Sequence, residues 1–317
     1  MIDVYPLQDA LAVIDDESLG NGGGPYNLLK DLSKMEVDIP LTGIGLVGED
    51  SDGDYIIKDC KNSAIDCSLI KVTKEAPTSY TDVMSVKSTG RRTFFHQPGA
   101  NALLNESHFD LRKSNAWLLH LAYLNLLDSL GIIHEDGYTG ATNVLKKARE
   151  LGMKTSIDLV SVESDLFYRV IKPSLPFVDY FLLNEIEAEH IAGIQIVKGE
   201  KVDIESVSNA AEKLIEMGVG QLVIIHYPEG ALAMDNNGKK YAQGSLRVPI
   251  EEIKGTVGAG DSFAAGMLYG LHESWPIEEC LNLATCVSAS CLYDTTTSGG
   301  ILPLDECLAL GKRYGYR

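Results

Sequence analysis

Residues 254–271, KGTVGAGDSFAAGMLYGL, have the residue types and spacing best suited to chemistry in this sequence. Gly258, Ala259 and Gly260 crowd three small residues into a turn. From Asp261 onward Phe263, Met267 and Leu271 recur at helical spacing, with Ala264 and Leu268 beside them. A tight turn therefore opens directly into a helix. The first N–H groups of a helix have no partner within it, and the helix dipole adds positive character there. Together they make an anion site. With no Cβ at Gly258 and Gly260, a phosphate could approach the backbone closely. Asp261 stands at the helix start, where it caps the helix or presents a carboxylate beside the bound anion. A carboxylate in that field is expected to be ionised at neutral pH, hence a weak base. The turn is not a Walker A loop, because no Lys-Ser or Lys-Thr follows Gly260. A dinucleotide-binding loop needs a strand directly before it, and residues 251–255 are charged and end in glycine.

The elements that must position this turn alternate from about residue 114. Residues 116–122, 155–159, 178–183 and 221–226 read as nearly continuous apolar strands. Between them, residues 139–151 and 205–217 read as amphipathic helices ending at Gly152 and Gly218, and a short helix starts at Glu185. This order predicts an α/β fold, a doubly wound, mainly parallel sheet flanked by helices. After residue 260 the pattern is nearly all helical. In the front third, Gly22, Gly23 and Gly24 precede Pro25, which suits the first turn of a helix. Residues 39–48 read as a strand, and residues 68–97 as a hairpin turning at 88–90. A small sheet of this kind is a candidate lid. The 317 residues thus predict one α/β domain over 1–317, with lid strands inserted at roughly 9–18 and 68–100.

Composition narrows the function classes. The formal net charge of −18, from 27 basic and 45 acidic residues, argues against a nucleic-acid surface. A bound polyanion must then be met locally, by backbone N–H groups and a cation. The most apolar stretch, 116–133, is broken by His120, Asn125 and Asp128, so no membrane span is expected. Asp3, Asp9, Asp15 and Asp16 stand where a signal peptide would be basic and then apolar, so the expected compartment is the cytoplasm. Six cysteines show no C-x-x-C spacing, and Cys280, Cys286 and Cys291 fall in an apolar helical stretch as buried thiols.

The segment GTVGAGDSFAAG resembles the C-terminal signature of the ribokinase-like, or PfkB, carbohydrate kinase family, D-T-x-G-A-G-D-x-F-x-x-G. The N-terminal signature of that family, G-G-x-x-x-N and then G-x-V-G-x-D-x-x-G, is met by Gly22, Gly23 and Asn27, then Gly45, Val47, Gly48, Asp50 and Gly53. Its N-x-x-E element is met by Asn184 and Glu187. The resemblance implies an ATP-dependent kinase acting on a small sugar. Asp261 would be the base that takes the proton of the sugar hydroxyl, and Gly258, Ala259 and Gly260 would hold the charge of the moving phosphate. Asn184 and Glu187 would position Mg2+, largely through water, which suits an ion that keeps several waters. On their own they also fit a helix cap with an acidic first turn. Gly22, Gly23 and Asn27 would line the sugar site, joined by Asp3, because MIDVYP resembles an I-D-x-x-P start. Gly230, with the strand end at His226, would lie along the ATP phosphates, Thr256 beside the loop and Thr285 near the adenine.

Three departures from the family pattern matter. Gly255 replaces the Asp that in many relatives helps hold a monovalent cation, so potassium activation is not expected, and Gly255→Asp should raise cation dependence. Tyr227 stands where the nucleotide loop usually has glycine, and would narrow that loop or stack on the nucleotide. Relatives carry a glycine-containing strand before the Asp3 motif, which here follows Met1 by two residues, so either this protein lacks most of that first strand or the sequence is shortened. Thr78, Thr81, Arg91, Arg92, His96, Asn101 and His120 are candidates to face the acceptor. The acceptor expected is a free sugar or sugar acid, such as a ketose, with a nucleoside as an alternative. The expected partners are sugar and ATP, with no nucleic acid and no membrane, and the lid is the candidate homodimer face. The competing reading is a catalytically silent member that senses a sugar or nucleotide, but a sensor need not keep Asp261.

Overall fold

The computed structural model describes residues 1–87, 92–160, 170–199 and 201–317. In chain order come α1 (Gly24–Lys34), β1 (Leu41–Gly48), α2 (Ser51–Asn62), β2 (Ile65–Thr73), β3 (Tyr80–Ser85) and β4 (Arg92–Gln97). Next are β5 (Leu118–Leu121), α3 (Gly140–Glu150), β6 (Lys154–Ile157), β7 (Tyr180–Asn184) and α4 (Glu185–Ala192). The short pair β8 (Val197–Lys198) and β9 (Lys201–Val202) leads to α5 (Ile204–Glu216). The last elements are β10 (Leu222–Tyr227), β11 (Gly230–Asp235), β12 (Lys240–Gly244), α6 (Ala259–His272), α7 (Ile277–Cys291) and α8 (Leu304–Tyr314).

The main sheet has six strands in the order β12-β11-β10-β7-β6-β5. Strands β5, β6, β7 and β10 run parallel, and β11 and β12 add antiparallel at one edge. The period of two along each strand feeds two separate cores. Phe181, Leu183, Val223, Ile225, Leu232 and Met234 pack on one face with Val144, Leu145, Ile191, Ala211 and Leu214 from α3, α4 and α5. Tyr180, Leu182, Leu222, Ile224, Ala231 and Ala233 pack on the other face, with Leu28 and Leu32 of α1 and the apolar sides of α6, α7 and α8. Helices on both faces give the doubly wound arrangement, and apolar residues at both parities explain why these strands read as continuous apolar runs. Cys280, Cys286 and Cys291 are buried free thiols on α7.

The front third departs from the expected pattern in two places. Strand β2 pairs parallel with β1 across α2, instead of opening the hairpin. Helix α2 escaped the sequence reading because it buries only Gly53 and Cys60, so it has almost no apolar stripe. The hairpin is β3–β4, with Val83 opposite Phe94 and Tyr80 opposite Gln97. Its turn, with Arg91, lies outside the described residues. The stretch 9–18, expected to add lid strands, holds one bridge, Ile14 to Ile2. Its apolar residues Leu11, Val13 and Ile14 stay exposed, so the segment does not build a sheet onto the lid.

Because β5, β6, β7 and β10 are parallel, their carboxyl ends meet at one edge of the sheet. Ala122 and Tyr123 follow β5, Asp158 follows β6, Asn184 ends β7, and His226 lies at the end of β10. In open α/β sheets that edge is where ligands bind.

Candidate active site

A cavity of about 1970 Å³ opens over these strand ends, between β1 and β5 and beneath the β3–β4 hairpin. The start of α6 forms part of its wall. Gly258 caps that helix in the left-handed region, at φ 82°. A Cβ there would sit 2.4 Å from the carbonyl oxygen of Thr297, so only glycine closes this turn. The glycine requirement at 258 thus comes from loop packing. The N–H groups of Gly260 and Asp261 have no backbone acceptor among the described residues, which leaves first-turn donors available to an anion. A Cβ at Gly260 would meet only the His226 ring, at 3.5 Å.

Asp261 is the third residue of α6 and is 6% exposed. Asn27 donates from Nδ2 to Asp261 Oδ2 at 2.7 Å. The Asn27 amide is oriented in turn by Asn21, whose Nδ2 donates to Asn27 Oδ1 at 2.8 Å and lies 2.9 Å from Ser298 Oγ. The hydroxyl of Tyr123 donates to Asp261, 2.9 Å from Oδ1 and 3.1 Å from Oδ2. Burial, and then the nearby Asp158 carboxylate, push Asp261 up to about 8, against the opposing hydrogen bonds from Asn27 and Tyr123. An ionised group was expected from the helix terminus. The helix dipole contributes at most about 2 kcal/mol, and here desolvation outweighs it. Raised in this way, the carboxyl holds a proton more tightly than a free aspartate.

Several other expected residues reach the same cavity. Gly22, Gly23, Thr78, Thr81, Arg92, His96, Asn101 and His120 all line it. Arg92 donates to Thr256 Oγ1 at 3.2 Å, which brings a cation to the loop before α6. His226 faces Phe263 at 5.1 Å between ring centroids, and burial pushes it down to about 4, so it is neutral at pH 7. His120 Nδ1 lies 2.8 Å from Ser156 Oγ and its Nε2 3.4 Å from Asp158 Oδ2. Thr78 serves the framework: its Oγ1 accepts from Gly48 N and donates to Asp50 Oδ1 at 2.6 Å.

Asn184 and Glu187 line the cavity while capping α4. Asn184 Oδ1 accepts from the N–H groups of Ile186 and Glu187, and Glu187 Oε2 accepts from Asn184 N at 3.0 Å. The two readings of this pair are therefore compatible, since a carboxylate has about four lone-pair positions.

Three expected residues are not brought to the cavity. Asp3 is exposed and lies 3.8 Å from Lys87, because Ile2 bridges to Val86 and carries it to the hairpin. Gly230 is buried on β11 opposite Gly244, behind the sheet edge. Thr285 is buried in α7, and its hydroxyl donates to Leu281 O at 2.8 Å. Tyr227, the last residue of β10, packs against the core. Conversely, Tyr123 and Asp158 were not anticipated. The signal available was their place just past two apolar strands, where a polar residue faces the ligand edge.

A helix N-terminus and a buried carboxylate over parallel strand ends are the parts of a phosphate-handling α/β enzyme. The pattern of the pfkB family carbohydrate kinases matches residues 1–303, and the chain belongs to that family. A 5-dehydro-2-deoxygluconokinase of Clostridium beijerinckii is 24% identical over 304 residues, covering 87% of this chain and 81% of the relative. The crystal structure of ribokinase from Thermotoga maritima superposes with a TM-score of 0.78 at 21% identity, over 98% of this chain and 94% of that one. Arabidopsis thaliana ribokinase, complexed with ribose and ATP, gives 0.75 at 22% identity, over 91% and 86%. The fold is that of the ribokinases, and the chain is by family a carbohydrate kinase. No helix among the described residues is long and apolar enough to cross a membrane.

Proposed function

We propose that this protein transfers the γ-phosphate of ATP to a hydroxyl of a free sugar or sugar acid, with Asp261 as the base. One observation carries the reading. The buried carboxylate on the first turn of α6 is hydrogen-bonded to Asn27, behind the Gly22-Gly23 loop, at 2.7 Å. The anion site at the start of α6 and the loop assigned to the sugar therefore meet on one side chain.

The residues present fit the two groups the family implies. Open first-turn donors at Gly260 and Asp261 suit phosphate oxygens. Asn184 and Glu187 offer only oxygen donors, already shared with the α4 cap, which suits Mg2+ held through its own waters. Bound there, Mg2+ supplies charge neutralisation to the phosphates.

The chain's own groups then act as follows. Gly22, Gly23 and Asn101 line the acceptor pocket, and Asn27 orients Asp261. Asp261 accepts the proton of the acceptor hydroxyl. The N–H groups of Gly260 and Asp261, in the turn that Gly258 and Ala259 shape, hold the moving phosphoryl group at the helix terminus. Arg92, tied to Thr256, stands where it can meet phosphate or a sugar carboxylate. The β3–β4 hairpin acts as the lid. The relative that acts on 5-dehydro-2-deoxygluconate supports including sugar acids. The test is a panel of free sugars, sugar acids, sugar phosphates and nucleosides with ATP and Mg2+, read as ADP release and phosphorylated product. A free sugar or sugar acid should give the highest kcat/KM. Turnover of nucleosides alone would overturn the acceptor class.

A further inference from the structure

Among the described side chains hydrogen-bonded to Asp261, Tyr123 is the one that the mechanism above leaves unused. Its backbone lies in the left-handed region, at φ 54° and ψ 42°. A bulky side chain rarely adopts that conformation, and such outliers persist only where the surroundings hold them. Here the Tyr123 N–H donates to Asp158 Oδ1 at 3.2 Å, and the Tyr123 carbonyl accepts from Leu126 N at 2.8 Å. The ring lies against the backbone of Gly24, where a Cβ would come within 3.0 Å of Tyr123 Cε1. The fold thus pins a strained tyrosine so that its hydroxyl reaches both oxygens of Asp261.

A phenol has one proton, so this is one donor shared between two acceptors. It stands on the atoms that must take the proton of the acceptor. Burial and the carboxylates of Asp261 and Asp158 raise the Tyr123 hydroxyl far above its ordinary value, which keeps it a donor.

We infer that Tyr123 determines the choice of acceptor: its hydroxyl covers Asp261 until an alcohol of the substrate takes its place, and so denies the base to water. The inference rests on Asp261 being the base. In the reaction that Tyr123 suppresses, a water oxygen bonds to the γ-phosphorus, the bond to the β–γ bridging oxygen breaks, and the water proton passes to Asp261. The products are ADP and inorganic phosphate. A sugar hydroxyl can displace the phenol because the rest of the sugar is held by the pocket, whereas a lone water has no such support.

Tyr123→Phe keeps the ring against Gly24 and removes the hydroxyl, leaving space for a water on Asp261. With ATP and Mg2+, inorganic phosphate and phosphorylated acceptor are counted separately. The ratio of hydrolysis to transfer should rise at least about tenfold, the effect of one charge-assisted hydrogen bond. Where Tyr123→Phe fails to fold, Tyr123→Asn, which tolerates the left-handed backbone, carries the same expectation. An unchanged or lower ratio in a folded variant of a working kinase overturns this inference alone. If the unmodified protein phosphorylates no acceptor, or if Asp261→Asn transfers phosphate at the unmodified rate, the reading of Asp261 falls and this inference with it.

Discussion

Asn27 and Asp261 lie 234 residues apart in the chain and meet at 2.7 Å, amide to carboxylate, in a buried pocket. The contact joins α1 to α6, fixes one oxygen of Asp261 and opposes the rise that burial gives its proton affinity. Asp261→Asn removes the proposed base and keeps the size of the side chain, with an oxygen that can still accept from Asn27. The fold should persist, and kcat should fall by about 10²–10⁴, the range for a positioned acid–base group. Steady-state kinetics with the best acceptor checks this. Turnover near the unmodified rate would sink the mechanism.

Two buried acids make stability depend on pH. Burial raises Asp261 to about 8 and Asp31 to about 7, from an ordinary 3.8. Asp31 Oδ2 accepts from Ser262 Oγ at 2.7 Å, while among the described residues its Oδ1 meets no hydrogen-bond partner within 3.5 Å. Between these values the folded chain binds protons that the unfolded chain has released. Their contribution is therefore full below about pH 4 and is lost as pH rises through 7 and 8. The slope is at most about 1.4 kcal/mol per pH unit for each group. Asp31→Asn should flatten the fall in melting temperature between pH 5 and 8. An identical slope in the variant would show that Asp31 titrates normally.

Local chemistry was legible in the sequence and long-range placement was not. The glycine turn at 258–260 and the Asn184–Glu187 pair form from residues that are neighbours in the chain, so motif and geometry coincide. The strands β7 and β10 were legible because both faces are buried and both parities are apolar. Tyr123 and Asp158 become site residues only when β5 and β6 lie side by side, which no local pattern states. Thr285 shows the converse. Its spacing after Asp261 suggested a ligand contact, but a helical threonine bonds its own i−4 carbonyl and turns inward.

Glu187 tests the metal assignment. Glu187→Gln retains an oxygen that can accept from Asn184 N, so the α4 cap survives and only the charge is lost. The Mg2+ concentration for half-maximal activity should rise, with the sugar KM nearly unchanged. Titrating Mg2+ at fixed ATP and at saturating and limiting sugar separates the two. A sugar-binding defect with an unaltered Mg2+ response would remove Glu187 from the metal.

Gly255 sets the expectation for monovalent cations, and the structure alters half of it. The position offers no side chain, so a cation beside this loop has lost one charged ligand, and hard cations bind more weakly as ligand charge falls. Replacing potassium by a large organic cation at constant ionic strength should change activity less than about threefold, a difference under roughly 0.7 kcal/mol. Restoring the carboxylate by Gly255→Asp was expected to raise cation dependence. However, a Cβ at this position would lie 2.7 Å from Asp294 O and 3.0 Å from Thr295 Cα. Those are backbone atoms of the 294–300 loop, which also meets Gly258 at Thr297, so they have little freedom to yield. Gly255→Asp should therefore disturb the turn that holds Gly258 and Asp261, lowering both melting temperature and kcat without conferring potassium activation. A stable, potassium-activated Gly255→Asp variant would show that the loop relaxes to admit the side chain, and strong potassium activation of the unmodified protein would show that another carboxylate serves this site.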